Sequence, residues 1–201
     1  RYQLLRVGAA LGRGCGPLVV ARTPIALRQT AGCRIAVPGE HTTAHLLLRL
    51  WMPDAKELVF APYDQIMTMI AGGEVAAGVI IHEGRFVYRE KGLVCLVDLG
   101  EWWESETGLP IPLGCVAAAK ALGADRIAGC EEIVEQSLRL ALKTPSRTRE
   151  YVKKHALEMD DEIIRKHIET YVNGFSLDLG AEGRAAVAAL EEKARAAGVV
   201  G

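Results

Sequence analysis

The sequence has almost no excess of charge of either sign and few aromatic residues. Its 24 Lys and Arg residues nearly balance 25 Asp and Glu residues, giving a formal net charge of −1, and aromatic residues make up 5% of the chain. Proteins bind nucleic acids and anionic membranes mainly through clustered Lys and Arg, and bases stack on aromatic rings. We therefore expect neither nucleic acid nor a membrane surface as a partner.

Long hydrophobic runs and paired cysteines are also missing. No apolar run approaches the roughly 20 residues that a membrane-spanning helix needs. The five cysteines are scattered, with no C-x-x-C pair and no histidine spaced to complete a zinc site. Because some lie in apolar runs, as Cys95 does, we expect buried, reduced thiols, no metal and a cytoplasmic protein.

Motifs for nucleotide cofactors and for serine hydrolysis are not found. The sequence has no G-x-G-x-x-G opening a helix after a strand, no phosphate loop ending in Lys-Ser/Thr, and no G-x-S-x-G elbow. We therefore expect no cofactor and no hydrolytic serine.

Strand and helix patterns alternate in the first half of the chain. Apolar or β-branched runs predict strands at 18–21, 34–37, 58–60, 77–81 and 93–98, and helical patterns lie between them at 44–50, 63–71 and 101–106. The alternation predicts an α/β fold, and the continuous apolar run 77–81 is typical of a parallel sheet covered on both faces. Beyond residue 125 the pattern is helical, with helices expected at 127–143, 145–155, from Asp160 to 172, and from Gly180 to 197.

Two segments rich in proline and glycine bracket the α/β part, at 14–17 and 109–114. They predict a chain that crosses twice between two lobes. We expect residues 1–20 to end the first lobe and include a crossing strand, 21–113 to form the second α/β lobe, and 114–201 to return to the first lobe as mostly helical structure, after a strand at 115–119.

The start of the first predicted helix is one candidate site. The preceding strand stops at Pro38-Gly39, and Thr42 or Thr43 can cap the helix. The first N–H groups of a helix lack partners within it, and the positive end of the helix dipole attracts anions. Thr42, Thr43 and Ala44 could therefore hold a carboxylate or phosphate. The alternative is that Thr42 only caps its own helix.

A histidine at the end of a buried strand is the second candidate. His82 directly follows the apolar run 77–81, and open α/β sheets place their ligands beyond the carboxyl ends of their strands. Histidine ordinarily has a pKa of about 6.5, which suits a general base near neutral pH. Glu83 could act as a neighbouring acid group. His82 is thus a candidate catalytic base, and the alternative is a structural histidine at the rim of the core.

Adjacent tryptophans at Trp102 and Trp103 are the third feature. Beside carboxylates they could line a binding site for an aromatic ligand, but such a pair more often holds a short helix against the core. We therefore favour a structural role.

Together, these segments resemble the 1,4-dihydroxy-6-naphthoate synthase family of the futalosine route to menaquinone. Matching motifs occur in the same order along essentially the whole chain. They include Gly-Pro-Leu-Val-Val-Ala at 16–21, His-Thr-Thr-Ala at 41–44, Ile-Ile-His-Glu at 80–83, Trp-Trp-Glu at 102–104, and Gly-Leu-Pro-Ile-Pro-Leu-Gly at 108–114.

The resemblance implies a type II periplasmic-binding-protein-like fold of two α/β lobes, with the active site in the cleft. It implies a cytoplasmic lyase without metal or cofactor that converts cyclic de-hypoxanthine futalosine into 1,4-dihydroxy-6-naphthoate, and it is compatible with a homodimer. The catalytic histidine of the family corresponds to His82. The substrate-contacting helix start corresponds to Thr42, Thr43 and Ala44.

Members of this family carry a further N-terminal region ahead of the point where this chain starts. We therefore expect the first lobe to be incomplete in this chain and the chain alone to be inactive. Two alternatives stay open: chorismate dehydratase of the same pathway, and a protein of the same fold that binds an organic anion without chemistry. The His-Thr-Thr-Ala and Ile-Ile-His-Glu motifs favour the naphthoate synthase family.

Overall fold

The computed structural model describes residues 1–26, 32–156 and 160–199. Its strands are β1 (Tyr2–Leu4), β2 (Ala10–Gly12), β3 (Leu18–Ala21), β4 (Ile35–Val37), β5 (Leu58–Phe60), β6 (Ala77–Ile80), β7 (Val94–Asp98), β8 (Ile111–Gly114) and β9 (Ala117–Ala119). Its helices are α1 (Thr43–Trp51), α2 (Ile66–Gly72), α3 (Gly84–Val87), α4 (Leu99–Thr107), α5 (Ala124–Lys143), α6 (Arg149–His155), α7 (Asp161–Tyr171), α8 (Gly174–Leu177) and α9 (Gly180–Ala196).

The chain divides into two compact units. Arg1–Gly12 and Pro112–Val187 form unit 1, and Arg13–Ile111 and Ala188–Gly201 form unit 2. The lobe boundaries expected from the sequence, 1–20, 21–113 and 114–201, stay a prediction.

Unit 2 is built on a five-stranded mixed sheet with the strand order β5-β4-β6-β3-β7. β4 is parallel to both β5 and β6, as the sequence predicts, whereas β3 is antiparallel to β6 and to β7. All four residues of β6 are buried. A continuous apolar run therefore reports burial on both faces of a central strand and does not fix the direction of its neighbours.

Several loops of unit 2 meet the sheet at the same edge. In the register, Leu18 at the start of β3 lies opposite Ile80 at the end of β6 and opposite Asp98 at the end of β7. Because β4 and β5 run parallel to β6, their carboxyl ends lie at the same edge. The segments 13–17, 38–42, 61–65 and 81–83 therefore all meet the sheet at this edge, which we call the loop edge.

Helix α2 packs closely on β6 because Gly78 has no side chain. A Cβ at Gly78 would lie 2.5 Å from Ile66 Cγ2 and 3.0 Å from Ile70 Cδ1. Both isoleucines are fully buried and belong to the core cluster that includes Val20 and Ile80. The loop before α2 therefore joins a rigidly packed helix.

Unit 1 contains two short strand pairs and the helices α5 to α8. β1 pairs antiparallel with β9, and β2 pairs with β8. Its core includes Leu5, Val7 and Ile127. The sequence patterns predict neither β1 nor β2, and the residues of β1 are all exposed, so the apolar signal of a strand is weak there.

The prediction of buried thiols is wrong in part. Cys15 is buried, but Cys95 and Cys130 are exposed. Cys95 lies on β7, which is an outer strand of its sheet and covered less than the central strands. No helix in the described residues is both long and apolar enough to cross a membrane.

Candidate active site

His82 adopts a left-handed backbone conformation immediately after β6. Its φ is 55°, and within the described ranges it is the only residue other than glycine with a positive φ. This conformation costs most L-residues roughly 1–2 kcal/mol, and such residues concentrate at functional sites. The chain reverses here, with the Gly84 N–H donating to the Ile81 carbonyl at 3.2 Å and the Arg85 N–H donating to the His82 carbonyl at 3.3 Å. The imidazole is placed at the loop edge and is exposed.

The ring of Tyr63 lies against the imidazole of His82. The ring centroids are 5.0 Å apart and the planes meet at 66°, an edge-to-face arrangement. Tyr63 belongs to the β5–α2 connection and is half-buried. Burial, followed by the nearby carboxylates of Glu83 and Asp64, raises the pKa of the Tyr63 phenol. The phenol therefore keeps its proton at neutral pH and can donate a hydrogen bond.

An ion pair anchors the helix that follows His82. The Arg85 guanidinium donates from Nη2 to Asp98 Oδ2 at 2.5 Å and from Nη1 to the Gly16 carbonyl at 2.7 Å. Asp98 Oδ1 accepts the N–H of Gly100 at 2.8 Å and so also caps α4. One carboxylate thus joins α3 to the start of α4 at the loop edge.

The segment before β3 passes unusually close to the start of α4. A Cβ at Gly16 would lie 2.4 Å from the Cα and from the backbone N of Gly100, so only glycine fits at this crossing. The Leu99 N–H donates to the Pro17 carbonyl at 3.0 Å. These backbone contacts fix the loop edge on the β7 side.

Thr42 is the N-cap of α1, as one of the two sequence interpretations predicts. Its Oγ1 accepts the His45 N–H at 3.2 Å and donates to the Gly39 carbonyl at 2.8 Å. Thr43 and Ala44 are the first two residues of the helix, where backbone N–H groups point outward from its N-terminal end. Anion binding at Thr42, Thr43 and Ala44 stays a prediction.

His82 and the start of α1 lie at the same edge of the sheet. β4, which leads into α1, and β6, which leads into His82, are adjacent and parallel, with Ile35 opposite Ala77. Adjacent parallel strands bring the segments beyond their carboxyl ends together, and this is where open α/β sheets bind ligands. The topology therefore places both predicted site elements on neighbouring strand ends.

A second histidine at this edge is fixed by its neighbours. His45 Nδ1 lies 2.6 Å from the Glu40 carbonyl oxygen, so this nitrogen carries the proton and donates. Its ring lies edge-to-face on Phe60, with centroids 5.1 Å apart. Among the described residues, no group of His, Cys, Asp and Glu side chains converges in a way that could hold a metal ion.

The tryptophan pair serves the core, in agreement with the structural interpretation. The Trp103 side chain is fully buried, and its Nε1–H donates to the Pro110 carbonyl at 3.1 Å. Trp102 is half-buried. Trp103 thus ties α4 to the segment that leads into β8 and offers no face to a ligand.

Comparisons with a family model and with individual known sequences point to the same family. The model of a family described as menaquinone biosynthesis matches residues 1–196. A Thermus thermophilus protein named 1,4-dihydroxy-6-naphthoate synthase is 51% identical over 203 residues, which span 99% of this chain and 72% of that protein. A Streptomyces coelicolor protein of the same name is 46% identical over 204 residues, with the same shares of the two chains.

Comparison with solved structures gives the fold. Protein AF1704 from Archaeoglobus fulgidus superposes with a TM-score of 0.93 at 37% identity, over 100% of this chain and 74% of that one. The periplasmic aliphatic sulphonate binding protein SsuA from Escherichia coli superposes with a TM-score of 0.62 at 14% identity, over 96% of this chain and 63% of that one. The second likeness shows the fold alone, and it confirms the predicted α/β, type II periplasmic-binding-protein-like fold.

The sequence match extends over nearly the whole chain, both for the family model and for the two curated relatives. The motifs at 41–44 and 80–83, which suggested the family, end up at the loop edge of one sheet. The chain belongs to the menaquinone biosynthesis family.

Proposed function

We propose that this chain acts as part of a 1,4-dihydroxy-6-naphthoate synthase, a lyase that converts cyclic de-hypoxanthine futalosine into 1,4-dihydroxy-6-naphthoate. The observation that carries the proposal is the 51% identity, across 99% of the chain, with the Thermus thermophilus protein of that name. A homodimer stays a further prediction, which the molar mass in solution tests.

His82 is the general base in this proposal. It removes a proton next to a carbonyl of the cyclic substrate, so that the carbon skeleton can fragment. Three features support the assignment: the strand-end position, the left-handed φ of 55°, and the exposed imidazole beside Tyr63. A base must reach its proton, and an exposed side chain at a sheet edge is open to a substrate.

The start of α1 holds a carboxylate or hydroxyl of the substrate in this proposal. Thr43 and Ala44 contribute backbone N–H groups at the positive end of a nine-residue helix, and Thr42 holds the turn in shape. Attraction between an anion and a helix end is worth roughly 0.3–2 kcal/mol. This site would orient the substrate with respect to His82 on the neighbouring strand end.

The direct test of the activity is product identification. The protein is purified both alone and joined to the N-terminal region that members of the family carry. Each form is incubated with cyclic de-hypoxanthine futalosine, and the products are separated and identified by mass. Formation of 1,4-dihydroxy-6-naphthoate supports the proposal. Conversion of chorismate instead would favour the dehydratase of the same pathway, and saturable binding of an organic anion without turnover of either compound would favour a binding protein.

The anion site has its own test. A small dicarboxylate soaked into crystals should lie against the N–H groups of Thr43 and Ala44. An anion found repeatedly elsewhere in the molecule, with this turn empty, would contradict the assignment of the substrate-binding residues.

A further inference from the structure

We propose that Tyr63 is a positioning residue for His82: the edge-to-face contact of its ring holds the imidazole in the orientation that proton removal requires. The inference rests on the proposed role of His82 as the base. It concerns the ring of Tyr63, which lies 5.0 Å from the His82 ring between centroids.

The position of Tyr63 is set by a rigid part of unit 2. It lies in the turn where the Gln65 N–H donates to the Pro62 carbonyl at 3.0 Å, directly before α2. The first residue of that helix, Ile66, is fully buried and packs on Gly78 of β6. The turn therefore cannot shift without disturbing the core, which fixes the backbone of Tyr63, and the half-burial of its side chain limits the movement of the ring.

The side chain of His82 is exposed, so burial in the core does not fix its orientation. Its backbone is fixed by the left-handed φ of 55° and by the anchoring of the next helix through Arg85 and Asp98. Backbone anchoring does not by itself select a side-chain rotamer, so the contacts of the imidazole decide its orientation, and the ring of Tyr63 is one of these contacts. A base that is displaced by about 1 Å can lose roughly 10²-fold in rate. A neighbouring aromatic ring restricts rotation of the imidazole.

The geometry of the contact is a favourable one for two aromatic rings. At 66° between planes, the edge of one ring points at the other, as aromatic pairs prefer. The contact joins the two rings, so the ring of Tyr63, rather than its hydroxyl, is the group that acts.

Two substitutions distinguish the contribution of the Tyr63 hydroxyl from that of its ring. Tyr63→Phe keeps the ring, and Tyr63→Leu removes it while keeping an apolar side chain at this half-buried position. Tyr63→Met serves if the leucine variant fails to fold. Tyr151→Leu is the matched control, because Tyr151 forms a similar ring pair with His155, at 4.6 Å on α6, outside the site.

We expect kcat to fall when the aromatic ring at position 63 is removed and to be kept when the ring remains. Tyr63→Leu lowers kcat at least tenfold, within the roughly 10²-fold range of a misplaced group, and leaves KM within about twofold. Tyr63→Phe and Tyr151→Leu stay within about twofold of the parent protein in both constants, which is the spread of a neutral change.

An NMR measurement reads the orientation without using activity. The imidazole C–H signals of His82, assigned from their loss in His82→Asn, carry a ring-current shift from Tyr63. This shift should disappear in Tyr63→Leu and persist in Tyr63→Phe.

Two results would overturn the inference while leaving the proposed function intact. One is Tyr63→Leu with parental kcat and unchanged His82 signals. The other is Tyr63→Phe losing as much kcat as Tyr63→Leu, which would assign the effect to the hydroxyl. An active His82→Asn variant would instead contradict the role of His82 itself, and the inference with it.

Discussion

Arg85 and Asp98 form an ion pair that joins the segment after β6 to the carboxyl end of β7, with Nη2 at 2.5 Å from Oδ2. Both side chains are largely withdrawn from water, with 16% and 9% of their surface exposed. The guanidinium also donates to the Gly16 carbonyl, and the carboxylate caps α4. The pair therefore holds together the elements that surround His82.

The first prediction concerns this pair. Asp98→Asn keeps an oxygen that can cap α4 but removes the charge that Arg85 meets, and an uncompensated buried charge costs about 3–5 kcal/mol. The free energy of unfolding, measured in urea, should fall by that amount. Because Arg85→Met removes the same interaction, the double variant should lose less than the sum of the single losses by at least about 1 kcal/mol. Strict additivity would show that the two side chains are not coupled.

The second prediction concerns the crossing of Gly16 and Gly100. Gly16→Ala places a Cβ 2.4 Å from backbone atoms that cannot move aside, and should lower the free energy of unfolding by about 3 kcal/mol. Gly129→Ala is the control, since nothing lies within 4 Å of its Cβ position on α5. It should stabilise the protein by about 0.5–1 kcal/mol, because alanine favours the helix. Equal effects of the two substitutions would contradict the close approach.

Much of the local structure could be predicted because its signals are local. Strands β3 and β5 have their predicted bounds, since each is a short apolar run between breaking residues. Thr42 caps α1 and Asp160 caps α7, as the residue types indicate. The α/β class follows from the same alternation.

The contacts around His82 could not be predicted, because they depend on strand order and register. The sequence pattern predicts a helix that begins at Tyr63, but α2 begins at Ile66 and the tyrosine lies in the turn before it. Its contact with His82 needs β5, β4 and β6 to lie side by side. For the Arg85–Asp98 pair, only the position of Asp98 was informative. An aspartate at the end of a strand and directly before a helix is a common N-cap.

The third prediction concerns cysteine reactivity. Burial raises the pKa of the Cys15 thiol to about 11, and only 1% of the residue is exposed, so the thiolate is rare at about pH 8. Cys130 is exposed on α5. Iodoacetamide followed by peptide mass spectrometry should therefore label Cys130 well before Cys15, and Cys130→Ser should leave the slow labelling of Cys15 unchanged. Labelling of Cys15 at the same rate would contradict its burial.

The fourth prediction concerns acid stability in unit 1. Hydrogen bonds from Arg6 and then Arg139 lower the pKa of Glu135. A carboxyl group whose pKa is lowered by folding stabilises the protein above its ordinary pKa of about 4.3, and this contribution is lost as the pH falls through the folded value. The advantage of the parent protein over Glu135→Gln in urea unfolding should therefore shrink between about pH 6 and pH 3. A difference that is constant with pH would contradict the ion pair.

The most direct test of the account is the turnover of His82→Asn on cyclic de-hypoxanthine futalosine. Asparagine adopts a left-handed φ more readily than most residues, so this variant removes the base while tolerating the backbone at 55°. His82→Ala adds a strained backbone and should unfold at lower urea concentration. We predict that His82→Asn folds like the parent protein and loses at least about a hundredfold in kcat, as expected for a missing acid–base group. A folded His82→Asn variant within a few-fold of parental turnover would contradict the assignment of His82 as the base.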